Sequence, residues 1–233
     1  MIGIIAAESK EMNEIKNLMN DIEEKKIYNL CFYIGKIEEK QCVLVECGEG
    51  KVNAARTSQI MIDNFKISKL INVGSAGAVN ENLNVKDVVI ADKLVQYDFD
   101  ISGLGYEKGE ICNIGKFIYC DKELVEHCKE AISELKDDDY KAIVGTIASA
   151  DSFCDKPEIA KMVRNDFGAE CVEMEGAAVA QVCFLDKIPF LVIRGISDTP
   201  NGNNKIDFKT YLELAAKQSA IILKKLLQKV DKI

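Results

Sequence analysis

The 233-residue sequence predicts an α/β fold, a largely parallel sheet covered by helices on both faces. Three observations predict it. Short apolar runs recur along the whole chain, stretches of helical period separate them, and several runs end in a turn of small residues or glycine. Hydrophobic residues make up 48% of the chain and charged residues 29%, enough for a substantial core under a soluble surface. With only 3 prolines, no low-complexity tract and no internal repeat, residues 1–233 are expected to form one domain.

The elements follow in order. Ile2 to Ala7 reads as a buried strand, and Lys10 to Met19 as a helix with Met12, Ile15, Leu18 and Met19 apolar. Ile27 to Ile37 and Gln41 to Cys47 read as paired strands around Glu38-Glu39-Lys40. A helix from Lys51 to Phe65 precedes strands at Leu70 to Val73 and Val88 to Val95. Lys122 to Leu135 is a helix, Lys141 to Ala148 a strand and Pro157 to Asp166 a helix. Phe190 to Ile196 is the last strand, and a helix from Phe208 to about Val230 closes the chain. Leu212, Leu214, Ile221 and Leu226 share its expected core face.

Charge and composition exclude several classes. A net charge of -8 disfavours nucleic acid or an anionic membrane as partner, since either wants a basic patch. No apolar run approaches the roughly 20 residues of a membrane span, and the N-terminus lacks a signal peptide's basic flank, so a cytoplasmic setting is expected. The 9 cysteines are scattered without a C-x-x-C pair and read as small hydrophobes, not disulfides or zinc ligands. The one histidine, His127, has the charged neighbours of a solvated helix face. Acid–base chemistry therefore falls to carboxylates.

Strands are expected to end at Ala6-Ala7-Glu8-Ser9-Lys10-Glu11, Gly48-Glu49-Gly50-Lys51, Gly74-Ser75-Ala76-Gly77, Ala150-Asp151-Ser152-Phe153-Cys154 and Arg194-Gly195-Ile196-Ser197-Asp198. Such turns at one end of a sheet describe a pocket that backbone can approach closely. Gly48-x-Gly50 fails as a dinucleotide fingerprint, because Asn53 takes the third glycine position and Glu49 would face a pyrophosphate. The phosphate-loop spacing is also missing, and Gly74 to Gly77 is either a tight turn or a nest for an oxygen ligand.

Cys171-Val172-Glu173-Met174-Glu175-Gly176-Ala177-Ala178-Val179-Ala180 passes from an apolar run into a small-residue helix. Glu173 and Glu175 stand at that change, where the helix dipole favours an ionised carboxylate. Such a group can accept hydrogen bonds from both hydroxyls of a ribose-like diol; the alternative is that both glutamates merely decorate the helix start.

Val172 to Ala178, Gly74-Ser75-Ala76-Gly77, Gly105-Tyr106-Glu107 and Arg194 to Asp198 together resemble the purine nucleoside phosphorylase superfamily, over essentially the whole chain. The likeness is greatest to its bacterial nucleosidases, which act on 5'-methylthioadenosine and S-adenosylhomocysteine. The resemblance implies a three-layer α/β/α sandwich around a mixed, strongly twisted sheet. It also implies hydrolysis of an N-glycosidic bond to free adenine, without metal or cofactor, by a homodimer. Glu11 matches the general base on water and Asp198 the acid on the departing purine. Glu175 and the Met174 backbone match the ribose site, Phe153 the aromatic on the base, and Cys154 the backbone that reads the base edge. Ser75, Gly77, Arg194 and Ser197 match the surrounding shell.

The alternatives are a phosphorylase of the same superfamily and a nucleoside-binding module without turnover. A phosphorylase needs a cationic cradle, whereas the loops here offer Glu8, Lys10 and Glu11, then Glu46 and Glu49, and are acidic on balance; Lys51 and Arg56 read as surface or packing residues on a helix. Glu49, Gln96-Tyr97 and Leu104 depart from the nucleosidase pattern. They put the preferred 5' group, and the base, in question; Glu49 either admits a 5' group more polar than methylthio or points to solvent.

Overall fold

A computed structural model describes residues 1–135, 140–199 and 204–230, with backbone alone for 204–209. The elements in chain order are β1 (Ile2–Ala6), α1 (Ser9–Lys16), β2 (Asn20–Ile27), β3 (Leu30–Ile37), β4 (Lys40–Glu46), α2 (Lys51–Phe65), β5 (Lys69–Ala78) and β6 (Val88–Gln96). There follow β7 (Ile118–Tyr119), α3 (Lys122–Ser133), β8 (Ala142–Ser149), α4 (Pro157–Phe167), β9 (Ala169–Glu173), α5 (Gly176–Asp186), β10 (Phe190–Asp198) and α6 (Asn204–Lys229). A 3-10 turn at Ser102–Leu104 lies between β6 and β7.

The long strand β5 organises the sheet. Its first half lies parallel to β1, with Gly3 beside Leu70 and Ile5 beside Asn72. Parallel β10 runs along its other edge, from Phe190 beside Leu70 to Gly195 beside Ser75. Farther along, β5 meets β9 antiparallel, at Gly77–Val172 and Ala78–Cys171. Strands β10, β6, β8 and β9 pair in that order, so together with β5 they form a closed ring. From β5 an arm of β1, β4, β3 and β2 extends outward. The sheet is thus mixed, where alternation alone suggested a largely parallel one.

Helix α6 packs on β10 and β5 and touches α1 and α3, while α2 and α5 pair elsewhere, with α5 on β8 and β6. This is the expected three-layer arrangement. Strand β1 is buried along its whole length, as a strand covered on both faces must be. On α6, Leu212 and Leu226 are buried as expected and Leu214 and Ile221 half-buried; Leu223 and Leu227 complete the core face.

Three expected features differ. Gly74-Ser75-Ala76-Gly77 and Arg194 to Asp198 are not turns; both continue their strands. Their small residues answer to crowding: a Cβ on Gly77 would lie 2.7 Å from Asp198 Oδ2, and one on Gly195 would lie 2.4 Å from Ala215 O. Second, the expected strand Ile27 to Ile37 is divided: Ile27 ends a separate charged strand, β2, exposed along nearly its full length at the edge of the sheet, and β3 begins at Leu30. Charged side chains there oppose edge-to-edge association. Third, His127 is half-buried, with Nδ1 enclosed and unpartnered, so it is not on a solvated face.

The nine cysteines are free, seven of them buried. Among the described residues no helix is long and apolar enough to cross a membrane, and no group of three or more His, Cys, Asp or Glu is placed to hold a metal.

Candidate active site

The ends of β1, β4, β5, β9 and β10 converge on a cavity of about 190 Å³. Lining it are Ala7, Glu8 and Glu11 from the start of α1, and Glu49 from the turn before α2. Ser75, Ala76 and Gly77 of β5 contribute next, then Ser152, Phe153 and Cys154 beyond β8. Val172 to Glu175 and the pair Ser197 and Asp198 complete it. Every residue assigned to the site from sequence lines this cavity except Arg194.

Glu11 sits in the first turn of α1, where a carboxylate also completes a capping box with Glu8. It is 3% exposed. Its Oε2 accepts the N–H groups of Ala7 (3.1 Å) and Glu8 (3.2 Å), and its Oε1 accepts from Ser75 N–H (2.7 Å) and Ser75 Oγ (2.9 Å). Ser75 therefore aims the carboxylate, and Gly74 makes room for it, since a Cβ there would lie 3.0 Å from Glu11 Oε1.

Asp198 ends β10 with only 2% of its surface exposed. Ser197 Oγ donates to its Oδ1 at 2.8 Å and lies 3.3 Å from Ala76 O. Glycines three residues apart on β5 thus face the two carboxylates, Gly74 toward Glu11 and Gly77 toward Asp198.

The two glutamates at the start of α5 divide the roles that the sequence left open. Glu173 caps the helix: its Oε2 accepts Glu175 N–H (3.1 Å) and Gly176 N–H (2.6 Å). The same carboxylate receives Ser149 Oγ and the Arg194 guanidinium, whose Nε lies 3.2 Å away. Both glutamates reach the cavity wall, but Glu175 does not cap the helix; it accepts Gly50 N–H at 2.8 Å. Burial, then the nearby charge of Glu173, pushes its carboxyl up to about 8, against the opposing pull of Arg194. Burial therefore outweighs the helix dipole and favours the protonated form of Glu175.

Arg194 is buried behind the wall. Its Nη2 donates to Asn72 Oδ1 at 2.6 Å and lies 3.9 Å from Glu175 Oε2. From there it orders Glu173 and, more distantly, Glu175. Asn72 donates in turn to Ile5 O at 3.0 Å, so this polar cluster is tied to β1. Neither Asn72 nor Ser149 stood out in the sequence, because each is a small polar residue between two apolar neighbours.

Among the described residues that line the cavity there is no lysine, arginine or histidine. Glu8 was also missed as a lining group. Its half-burial, followed by the charges of Glu11 and Glu49, raises its carboxyl above the ordinary range. Phe153, 37% exposed, presents a ring at the cavity, with the buried Cys154 beside it.

A cavity walled by the buried carboxylates Glu11, Asp198 and Glu175 beside an aromatic ring fits the class of proteins that act on nucleoside-like molecules. Consistent with that class, the family model described as "Phosphorylase superfamily" matches residues 1–228, and the chain belongs to that superfamily. The 5'-methylthioadenosine/S-adenosylhomocysteine nucleosidase of Listeria innocua is 40% identical over 231 residues, 98% of this chain and 99% of that one. The enzyme of the same name from Staphylococcus aureus is 38% identical, over 94% and 96% of the two chains. A solved nucleosidase of S. pneumoniae, with a transition-state inhibitor, superposes with a TM-score of 0.93 at 37% identity, covering 99% of each chain. A futalosine hydrolase of Helicobacter pylori also gives 0.93, at 32% identity over 98% of this chain and 97% of that one.

Proposed function

We propose that this protein hydrolyses the N-glycosidic bond of 5'-substituted adenosines, 5'-methylthioadenosine and S-adenosylhomocysteine among them, releasing adenine and a 5-substituted ribose. One observation carries the reading: Glu11 and Asp198, from opposite ends of the chain, are buried in the wall of one cavity that also holds Glu175.

As the bond from C1' to the purine nitrogen breaks, its electron pair passes to the base and positive charge develops on the ribosyl ring. Asp198 delivers a proton to purine N7, which neutralises the leaving group. Glu11 takes a proton from the water whose oxygen bonds to C1'. Glu175 holds the ribose hydroxyls, and a bound diol favours its ionised form by donating to it. Anionic Glu11 and Glu175 also suit the positive ring. Acid and base assistance each supply roughly a hundred- to ten-thousand-fold in rate.

Water is favoured over phosphate as nucleophile. Glu11 and Glu49 on the cavity wall disfavour an anion, while the nearest buried guanidinium, Arg194, is occupied by Glu173 and Asn72. The test is to incubate the protein with 5'-methylthioadenosine and follow free adenine, with and without phosphate. Equal release in both is expected. Release that requires phosphate would mean phosphorolysis, and none in either would mean a binding module.

Glu49 and Glu8 on the cavity wall favour a 5' group more polar than methylthio. Comparison of kcat/KM for 5'-methylthioadenosine, S-adenosylhomocysteine, adenosine and 5'-deoxyadenosine checks this, and a strong methylthio preference would contradict it. A homodimer is part of the proposal. Val52 on α2, Phe184 and Leu185 on α5, and Leu104 are exposed apolar residues that a second copy would cover. The free thiols suit a reducing, cytoplasmic setting.

A further inference from the structure

A closed circuit of polar contacts lies beside the cavity and joins three segments. Lys51, the first residue of α2, donates from Nζ to Asp98 Oδ1 at 2.7 Å and to Gln96 Oε1 at 3.1 Å. Asp98 Oδ2 accepts the N–H of Asp151 at 3.0 Å, and Asp151 Oδ1 accepts the N–H of Lys51 at 2.7 Å. Each aspartate thus bridges to the other segment. Gln96 extends the circuit to α5, donating to Gln181 Oε1 at 2.6 Å.

Two of the three joined segments border the cavity. Gly50, immediately before Lys51, gives its N–H to Glu175 Oε1. Asp151 immediately precedes Ser152, Phe153 and Cys154 on the cavity wall. Gly50 has φ +94°, and a Cβ there would lie 3.0 Å from Asp151 Oδ1, so the close approach of the two segments depends on a glycine.

We propose that Lys51, Asp98 and Asp151 act as a positioning clamp, setting the spacing between Glu175, on the ribose hydroxyls, and the base-side loop of Phe153 and Cys154. The clamp rests on the nucleosidase reading of this site. Its ion pair is partly open to solvent, with the Lys51 side chain 18% and that of Asp98 32% exposed. An open pair contributes little to stability, so its value lies in geometry. Misplacing a bound group by about 1 Å can cost on the order of a hundred-fold in rate. Lys51 is accordingly a site-adjacent residue and not the surface or packing residue expected from sequence.

The variants Lys51→Met, Asp98→Asn and their combination test this, with two readouts. The first is kcat/KM for 5'-methylthioadenosine and for its 2'-deoxy analogue. The singles should each lose about ten-fold on the ribosyl substrate, and the double no more than either single. The deoxy analogue should lose less, so the preference for the ribosyl substrate falls. The second is amide hydrogen exchange in the ligand-free protein, which should quicken together at residues 48–51 and 151–154. Unchanged exchange in either segment overturns the clamp whatever the activity. An unchanged ribosyl-to-deoxy preference overturns its link to Glu175. Wild-type protein that releases no adenine would instead defeat the nucleosidase reading, and exchange alone would then decide the clamp.

Discussion

Glu175 shows how a site residue's environment can oppose its neighbourhood in sequence. Its position at a helix N-terminus favours charge, yet burial and Glu173 raise its carboxyl to about 8. The folded state therefore holds a proton that the unfolded chain, titrating near 4.5, releases earlier. Below about pH 4.5 this costs nothing; the penalty grows as pH rises to about 8 and is constant above. Glu175→Gln removes it. The variant should match wild type in Tm at pH 4 and exceed it by roughly 2–4 °C or more at pH 9, since about 1 kcal/mol shifts a domain of this size by that much. A Tm difference independent of pH would contradict the assignment.

Other residues were legible to different degrees. Glu11 and Asp198 stand far apart in the sequence, so only a family resemblance, not spacing, could join them. Arg194 was placed in the site's shell, but it lies behind the wall. Strand β10 is buried at every position, so no alternation in its sequence says which side a residue faces. Glu8 is invisible to motif reading because its role as cavity wall depends on the turn into α1.

At the scale of elements, glycine was the misleading signal. Gly74, Gly77 and Gly195 suggested turns, whereas each sits in a strand and clears space for another group. The space cleared differs, and so should the consequences. Gly77→Ala pushes against the short side chain of Asp198 and should lower kcat/KM ten-fold or more while leaving Tm within a few degrees. Gly195→Ala meets the backbone of α6, which cannot rotate away, and should destabilise by about 1–3 kcal/mol. Activity assays and thermal melts on the pair check this; the reverse pattern would overturn it. The helices were easier to read. Lys51–Phe65 was legible at both ends, although its buried face, Ala54, Thr57, Ser58, Met61 and Phe65, mixes polar with apolar residues. Strand β2 escaped because an exposed edge strand carries charges on both faces.

For the whole molecule, alternation of strands and helices was enough for the fold class but not for ring closure. Closure rests on pairings of β5 with both β10 and β9, contacts between distant segments that no local pattern encodes. Closure also has a functional result: it brings the end of β9, with Glu173, opposite the end of β5, with Ser75 and Gly77. The exposed residues of α2 and α5, together with Leu104, belong to this scale as well. Light scattering should give about twice the 25.9 kDa chain mass, and Leu185→Glu should shift the protein toward monomer. A wild-type monomer at micromolar concentration would contradict the proposed dimer.

The central claim is that Glu11 and Asp198 act together on one bond. Its most direct test is kcat for adenine release from 5'-methylthioadenosine by Glu11→Gln and by Asp198→Asn, with circular dichroism confirming the fold. Each variant should fall by at least about a hundred-fold. Either one retaining activity within ten-fold of wild type would contradict the account.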